Sequence, residues 1–463
     1  MLAQLEQQSA VKRWVVAYSG GLDSTVLLHL LIELNATLVR PVPICALHIN
    51  HHLSDNADYW QRQCEQQALA WGVDYIAQSV AVIEHGQGVE AAARSARYQC
   101  FESCLQQGDC LLMAHHSDDQ AETLLLRLFR GAGVLGLSAM PAQRSLGPAR
   151  LLRPLLTSTR SELEHYAQRH KLCWVEDESN HSVVFDRNYV RHHVIPLIQQ
   201  RWPQLVRQCT QAASNLREAN SLLSELAALD LHAAAERSER LGFSLDWHYL
   251  RSLTASRRHN CFRYCCAQKG FSLPGAGHLQ QIEQQFFGAN TLLTSACVEW
   301  GDNAKATAVQ FRQFNQRLYL MPSLMAFVKP VEPVDWHGRE TMALGLAGRL
   351  SLVEGLAQNL SQNLSQNLAE HPSTPMLAKR WVDGKQVRIA WRLGGERCRP
   401  VGRAASQTVK KLLQEYHLET WLRDRVPLIY IDNDLAAVGD LWVCEPFAAQ
   451  QDELAYRIVW DID

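Results

Sequence analysis

The sequence predicts an α/β protein built from a parallel-sheet domain, a mostly helical middle domain and a small α+β C-terminal domain. Three observations predict it. Short apolar runs alternate with amphipathic stretches from Lys12 to about Leu152, a long apolar seam follows Pro203, and strand and turn signals resume in the last hundred residues. The 463-residue length agrees, because at roughly 150 residues per domain it calls for about three units.

Each element has its own justification. Trp14 to Tyr18, Pro43 to Ile49, Val73 to Val80 and Cys110 to Ala114 are apolar runs of strand length. Between and after them, Ser24 to Leu34, Asp55 to Trp71, Val89 to Gln107 and Asp119 to Arg130 carry apolar residues at helical spacing. Alternation of this kind implies a parallel sheet covered on both faces, which takes its ligands beyond the carboxyl ends of the strands. After Pro203 the residues Leu205, Cys209, Ala212, Leu216, Ala219, Leu223 and Leu226 form one apolar seam of a long helix. Trp247 to Gln268 and Gly277 to Phe287 read as helices, and Ala308 to Phe314 with Arg317 to Leu320 as a hairpin.

Next comes a degenerate Gln-Asn-Leu-Ser repeat beginning at Gln358, Gln362 and Gln366, read as a polar linker. A hairpin is expected to turn on Asp383-Gly384, followed by a helix capped by Ser406 and a strand pair, Leu428 to Ile431 and Leu435 to Val438. The boundaries are therefore 1–203, 204–325, a linker at 326–376, and 377–463.

Hydrophobic content of 47% with 20% charge is that of a soluble globular chain, which excludes disorder and collagen-like structure. Met1 to Ala10 lacks the apolar core of a signal peptide, and no apolar run approaches the ~18 residues of a membrane span, so a cytoplasmic protein with no membrane partner is expected. Thirteen cysteines without a C-x-x-C pair read as buried thiols of a reduced compartment, with a zinc or iron–sulfur site as the other reading. The net charge of −2 gives no global sign of a nucleic-acid partner. The local distribution differs. Lys379 to Lys411 holds ten basic residues, among them Arg397, Arg399, Arg403, Lys410 and Lys411, against only Asp383 and Glu396. Such a stretch is either an RNA-phosphate surface or a solvated face. A smaller basic group, Arg251, Arg257, Arg258 and Arg263, lies on the middle helices. Nothing in the sequence fixes an oligomeric state.

Three motifs carry chemistry. Ser19-Gly20-Gly21-Leu22-Asp23-Ser24 follows the first strand and opens the first helix. Its glycines let the backbone turn and approach a ligand, and the open amides of the helix start attract an anion; the bland reading is an ordinary capped turn. The loop lacks the lysine of a Walker A motif. The second motif, His48-Ile49-Asn50-His51-His52-Leu53-Ser54-Asp55, ends the next strand, either as a polar ligand-facing turn or as metal ligands, with Asp55 as a helix N-cap.

The third motif runs from Ala114 through His115-His116-Ser117-Asp118-Asp119-Gln120-Ala121-Glu122 to Thr123, off a strand and onto a helix. Asp119 and Glu122 share one face there. Two acids and a histidine can hold Mg²⁺ and move a proton, although the acids alone also read as a capping array. Downstream, Arg187, Asn188 and Arg191 lie in Asp186-Arg187-Asn188-Tyr189-Val190-Arg191. The two arginines, four apart, can hold RNA phosphate or AMP, or pair with Glu176 or Asp177.

The loop Ser19 to Ser24 resembles the PP-loop of N-type ATP pyrophosphatases, which implies a Rossmann-like parallel-sheet PP-loop domain that binds ATP through Ser19, Gly20, Gly21, Leu22, Asp23 and Ser24. With HINHHLSD, the helix from Glu90 to Tyr98, HHSDDQAET, RGAGVLGL, RPLL and DRNYVR in this order, residues ~12 to 200 closely resemble the tRNA(Ile)-lysidine synthetase family. Gly394 to Arg397 and Lys410 to Gln414 extend the resemblance to the C-terminal module. It implies ATP and Mg²⁺ as cofactors, with Asp23 and Asp119 as the metal ligands. It also implies free L-lysine and a tRNA-Ile with a CAU anticodon as substrates, and an adenylated cytidine as intermediate. Asp23, His115, Asp119 and Glu122 are the expected catalytic residues, with Glu122, Asp119 or His115 as proton acceptor. The alternative is another PP-loop tRNA-modifying enzyme such as a cytidine thiolase, against which the missing C-x-x-C counts.

Overall fold

The computed structural model describes residues 5, 11–52, 54, 56–80, 89–176, 185–288, 296–302, 307–337, 341–357, 376–450 and 452–462, with the side chains of 89–91 excepted. The alternation of apolar runs and helices becomes β1 (Arg13–Ala17), α1 (Leu22–Thr37), β2 (Ile44–Asn50), α2 (Ala57–Ala70), β3 (Asp74–Ser79), α3 (Val89–Cys104), β4 (Asp109–Leu112) and α4 (Ser117–Phe129). A short α5 (Val134–Leu137), a hairpin of β5 (Gln143–Leu146) and β6 (Ala149–Leu152), and α6 (Arg160–Arg169) follow.

The six-stranded sheet has the order β3-β2-β1-β4-β6-β5 and is parallel except at the β5 edge. Its order reverses between β1 and β4, and sheets of this kind take their ligands beyond the strand ends at such a reversal. Strand period places the two cores. Cys110 and Leu112 of β4 pack with α1, α2 and α6 on one face, while Leu111 and Met113 pack with Phe101 of α3 and Leu105 just beyond it on the other.

The chain then forms α7 (Asp186–Tyr189), a π-helical turn at Val190–Val194, α8 (Ile195–Arg201) and the long α9 (Leu205–Ala233). Ala121 and Leu125 of α4 meet Val190, Ile195, Val206 and Cys209 in a small apolar cluster. This cluster clamps α7 and the π turn over α4. The helix after Pro203 is thus present, but its expected seam is not continuous: Ala212 and Leu223 are exposed, and Ala213 and Ala227 are the buried positions instead. The chain divides within α9 into two compact units, Met1–Leu222 and Leu223–Asp463.

In the second unit, β7 (Arg237–Ser238), β8 (Phe243–Asp246), β9 (Cys297–Trp300), β10 (Val309–Phe314) and β11 (Arg317–Pro322) form a five-stranded sheet around α10 (Trp247–Ser252), α11 (Ala255–Gln268) and α12 (Ala276–Ile282). The expected hairpin is β10–β11.

The stretch expected to be linker contains strands: β12 (Val334–Trp336), β13 (Met342–Ala343) and β14 (Arg349–Leu356). β14 pairs along its whole length with the final strand, β22 (Leu454–Asp461). The repeat at 358–368 lies outside the described residues. Asp383-Gly384 is not a hairpin. Leu377–Ala378, β15, pairs with β22, a single helical turn α13 (Lys379–Val382) intervenes, and β16 (Val387–Trp391) joins a different sheet. Nor is Ser406 a cap. Arg397–Cys398, β17, pairs with Gln407–Thr408, β18, so Thr408 becomes the N-cap of α14 (Val409–Glu415), its hydroxyl accepting from the Lys411 amide. The last strand pair is present as β19 (Pro427–Ile431) and β20 (Asp434–Val438), followed by β21 (Trp442–Val443).

Candidate active site

The loop after β1 is shaped for close approach. Gly20 has φ +80°, and a Cβ there would lie 2.4 Å from the Cys64 sulfur, so glycine is required on both conformational and steric grounds. Its carbonyl accepts from the Thr25 hydroxyl at 3.3 Å and from the Val175 amide at 2.9 Å. Ser19 and Ser24 hydroxyls meet at 3.1 Å, closing the loop over its base. Gly21 is the N-cap of α1 and no side chain caps this helix, so the first-turn amides remain available to an anion at the positive end of the helix dipole.

Strand alternation continues past β4 and splits the adjacent histidines between the two faces. His116, almost fully buried, turns toward the loop, its Nε2 3.6 Å from both Asp23 Oδ2 and Asp119 Oδ2, and its Nδ1 3.5 Å from Asp118 Oδ2. Burial pulls its pKa down, but these three carboxylates outweigh burial and push it up to about 10. Arg160, at the start of α6, joins the group with its amide on Asp118 Oδ2 at 2.9 Å and its guanidinium 4.0 Å from Asp23.

His115 turns to the α3 face, where Arg153 Nε donates to its Nδ1 at 3.3 Å. Burial lowers His115 to about pKa 3. The ring is therefore neutral, and the accepting Nδ1 leaves the proton on Nε2.

Asp119 and Glu122 lie on one face of α4, and α7 with the π turn brings Arg187 and Arg191 directly onto them. Arg187 donates from Nε to Glu122 Oε2 and from Nη2 to Asp119 Oδ1, both at 2.7 Å. Arg191 Nε reaches Glu122 Oε1 at 2.6 Å, and its Nη2 lies 3.1 Å from Glu122 Oε2 and 3.3 Å from Asp119 Oδ1. Glu122 is 1% exposed in its side chain, while the arginines keep 22% and 25%, so the acids are the floor of the site and the guanidiniums its wall. Against burial, the His116 and Arg187 charges hold Asp119 well below the usual carboxylate range. Asp119 also accepts the His116 amide at 3.0 Å. The N-cap of α4 is thus His116 rather than an aspartate, and Asp119 both caps this helix and pairs with the arginines, whereas Glu122 makes only the arginine contacts among those described. The acids paired with Arg187 and Arg191 are Asp119 and Glu122; Asp177 lies outside the described residues. Asn188 is half-buried on α7.

The histidines of the second motif do not converge. His48 Nδ1 meets the Tyr18 carbonyl at 3.0 Å, His51 Nε2 accepts from Arg97 at 3.2 Å, and His52 Nε2 meets Ser79 Oγ at 3.1 Å. Asp55 is outside the described residues, and Asn56 is the N-cap of α2. Among the described residues no three His, Cys, Asp or Glu are grouped to hold a metal, and the cysteines are free.

The basic run of the C-terminal module is exposed but largely matched by acids from elsewhere in that module. Arg399 pairs with Glu445, Arg403 with Glu415 at 2.9 Å and Lys411 with Glu415 at 3.8 Å. Lys379 pairs with Glu354, Arg380 with Glu453, and Lys385 with Asp432. Arg397 donates to the Ser406 carbonyl at 2.8 Å, and Lys410 is exposed. Among the described residues no helix is long and apolar enough to cross a membrane.

Asp23, His115, Asp119 and Glu122 are the expected site residues; His116 and Asp118 stand in the third motif and Arg153 in RPLL without an expected role, and Arg160 has none either. Period-2 alternation off β4 is the available signal for His116, and the RPLL resemblance that for Arg153.

Comparison with known proteins covers the same territory. A PP-loop domain model matches residues 1–198, a model described as the TilS substrate binding domain matches 245–319, and one described as the TilS substrate C-terminal domain matches 387–460. A tRNA(Ile)-lysidine synthase of Coxiella burnetii is 36% identical over 444 residues, covering 96% of this chain and 92% of that protein. One of Serratia proteamaculans is 38% identical over 459 residues, covering 99% and 98%. Among solved structures, a U34-tRNA thiolase from Methanococcus maripaludis aligns with TM-score 0.39 at 15% identity, over 44% of this chain and 72% of that one.

Proposed function

The chain belongs to the tRNA(Ile)-lysidine synthase family of PP-loop, ATP-dependent ligases, and from that premise we propose its reaction in full. ATP adenylates the oxygen on carbon 2 of the wobble cytidine of a tRNA-Ile bearing a CAU anticodon, releasing pyrophosphate. Free L-lysine then displaces AMP through its ε-amine, giving lysidine. The observation that carries this reading is the continuity of the two centres: Asp23 of the ATP loop and Asp119 of the acid pair both approach His116 Nε2 to 3.6 Å. An adenylate made at the loop is thus formed beside a cation-binding pair of acids.

Open amides of the α1 start, with Ser19 to Ser24 around them, are suited to the charge of the polyphosphate. The residues also fit Mg²⁺. Asp23 Oδ1 is buried without a hydrogen-bond partner among the described residues, and a hard-oxygen pair of Asp23 and Asp119 is what this ion takes alongside substrate phosphates. Bound there, Mg²⁺ would neutralise phosphate charge. His115, donating from Nε2, is the hydrogen-bond donor toward the reacting cytidine or its phosphate, and so is reassigned from the acceptor role.

Lysine arrives protonated near pH 7 and must lose a proton to attack. Of the two remaining acceptors, each takes three hydrogen bonds, but the His116 and Arg187 charges hold Asp119 well below the usual carboxylate range, which makes it the poorer base. Glu122 is therefore assigned as acceptor, with Arg187 and Arg191 as positioning residues. In the C-terminal module, Arg397, Arg399, Arg403, Lys410 and Lys411 are assigned as tRNA phosphate contacts on the strength of their exposure.

The test is ATP-dependent transfer of labelled lysine to tRNA-Ile with a CAU anticodon, with elongator tRNA-Met as control. Label on the first alone is expected; label on neither would overturn the assignment.

A further inference from the structure

Arg153 poses a problem of charge. It is 3% exposed, and its three donor contacts are all neutral: His115 Nδ1 at 3.3 Å, the Pro141 carbonyl at 2.8 Å and the Tyr98 hydroxyl at 3.4 Å. Among the described residues no carboxylate pairs with it. A buried guanidinium ordinarily has an anionic partner, because its desolvation is otherwise uncompensated.

The surroundings deepen the imbalance. The Arg144 guanidinium lies 4.8 Å from the Tyr98 ring centre and that of Arg94 5.4 Å. Neither forms an ion pair among the described residues. Arg97, one turn along α3 from Arg94, donates to neutral His51. Elsewhere in the same unit Arg13, Arg130, Arg160, Arg187 and Arg191 each face an acid. The local potential is visible in Tyr98 itself. Burial pushes the phenol's pKa up, yet Arg94, Arg153 and Arg144 together bring it below its ordinary value.

We propose that Arg94, Arg144 and Arg153, gathered around Tyr98, form a second anion site that holds a phosphodiester of the RNA strand. The site is separate from the PP-loop. His116 faces the loop and the α1 side of the sheet, whereas His115, Arg153 and Tyr98 belong to the α3 side. A polyphosphate seated on the α1 amides leaves the arginine cluster's charge unanswered. Arg94 and Arg144 are exposed, which suits a backbone laid across the surface better than a small anion enclosed in a cavity. Arg153 links this site to His115, so phosphate held here fixes the strand beside the reacting end of β4.

The inference rests on the reading that the substrate is tRNA. Its test uses the full-length chain carrying Arg94→Ala and Arg144→Ala together, both exposed positions, with unchanged thermal unfolding as the fold control. Binding of a CAU anticodon stem–loop RNA is measured across a salt series, alongside ATP binding and inhibition by inorganic pyrophosphate. The dissociation constant for the RNA is expected to rise roughly tenfold, and the log–log salt slope to shrink by about 0.7, the single-strand value for one phosphate. ATP and pyrophosphate affinities should stay within about twofold.

Arg144→Lys, which keeps the charge, should retain the slope. RNA affinity and slope unchanged in the double variant would overturn the proposal. So would a loss confined to ATP or pyrophosphate, which would give the cluster to the nucleotide. A wild-type chain that transfers lysine while the variants match it defeats this site alone; a wild-type chain that transfers none defeats the functional reading beneath it.

Discussion

Arginine is used in opposite ways in the two units. In the C-terminal module the basic run from Lys379 to Lys411 stands out in the sequence, yet most of its charges meet exposed acids on neighbouring strands and turns. In the N-terminal unit Arg94, Arg144 and Arg153 are scattered over about sixty residues of unremarkable sequence, yet converge on one tyrosine without an acid among the described residues. Basic residues clustered in sequence and basic residues gathered in space are therefore separate properties. Exposed ion pairs are worth little, about 0–1 kcal/mol, and exchange readily for phosphate. The buried Glu122 group cannot be exchanged so cheaply.

Deleting acids of the N-terminal unit is the sharpest way to break that contrast. Glu122→Ala leaves two half-buried guanidiniums sharing Asp119 as their one remaining carboxylate among the described residues, and should reduce stability by up to about 3 kcal/mol and lysine transfer by on the order of 10²–10⁴. Urea unfolding and labelled-lysine transfer measure the two effects. Transfer within tenfold of wild type would remove Glu122 from the chemistry. Asp23→Ala should likewise abolish transfer while tRNA binding persists, read by gel shift; lost binding in both variants would mean the roles are misassigned.

A smaller effect is expected from Lys410→Ala, which removes an exposed charge. The salt slope of tRNA binding should shrink by about 0.9 if the contacted phosphate lies in a duplex. Arg403→Ala, whose charge is already matched by Glu415, should shrink it less, and the reverse order would undo the contrast. Smallest of all, Glu415→Ala should leave unfolding free energy within about 1 kcal/mol while tightening tRNA binding at low salt, since it releases Arg403 and Lys411 together. Unchanged or weaker tRNA binding would place those residues away from the RNA.

What is legible in the sequence is local. Apolar period gives the β1–α4 alternation, glycines mark the loop, and helical spacing puts Asp119 with Glu122 and Arg187 with Arg191. That these two pairs meet is hidden, because 65 residues separate Glu122 from Arg187 and the meeting depends on the apolar clamp of α4 against the π turn. The failures have the same origin. Asp383-Gly384 carries a genuine turn signal, but a turn does not say which strands its flanks will join, and β15 and β16 join different sheets. Arg349–Leu356 reads as linker because its partner, β22, lies about a hundred residues further on. Ser406 loses the cap to Thr408 because a two-residue ladder with Arg397–Cys398 sets where α14 begins.

The adjacent histidines after β4 make the sheet edge a partition with one residue of thickness. The His116 ring looks toward Asp23 and Asp119, and the His115 ring toward Arg153. Adding or removing a single residue between Leu112 and His115 would exchange their compartments while leaving the composition of the motif nearly intact. The length of this short connection is thus under a stricter constraint than its chemistry. Insertions here should be far less tolerated than conservative replacements at the same positions.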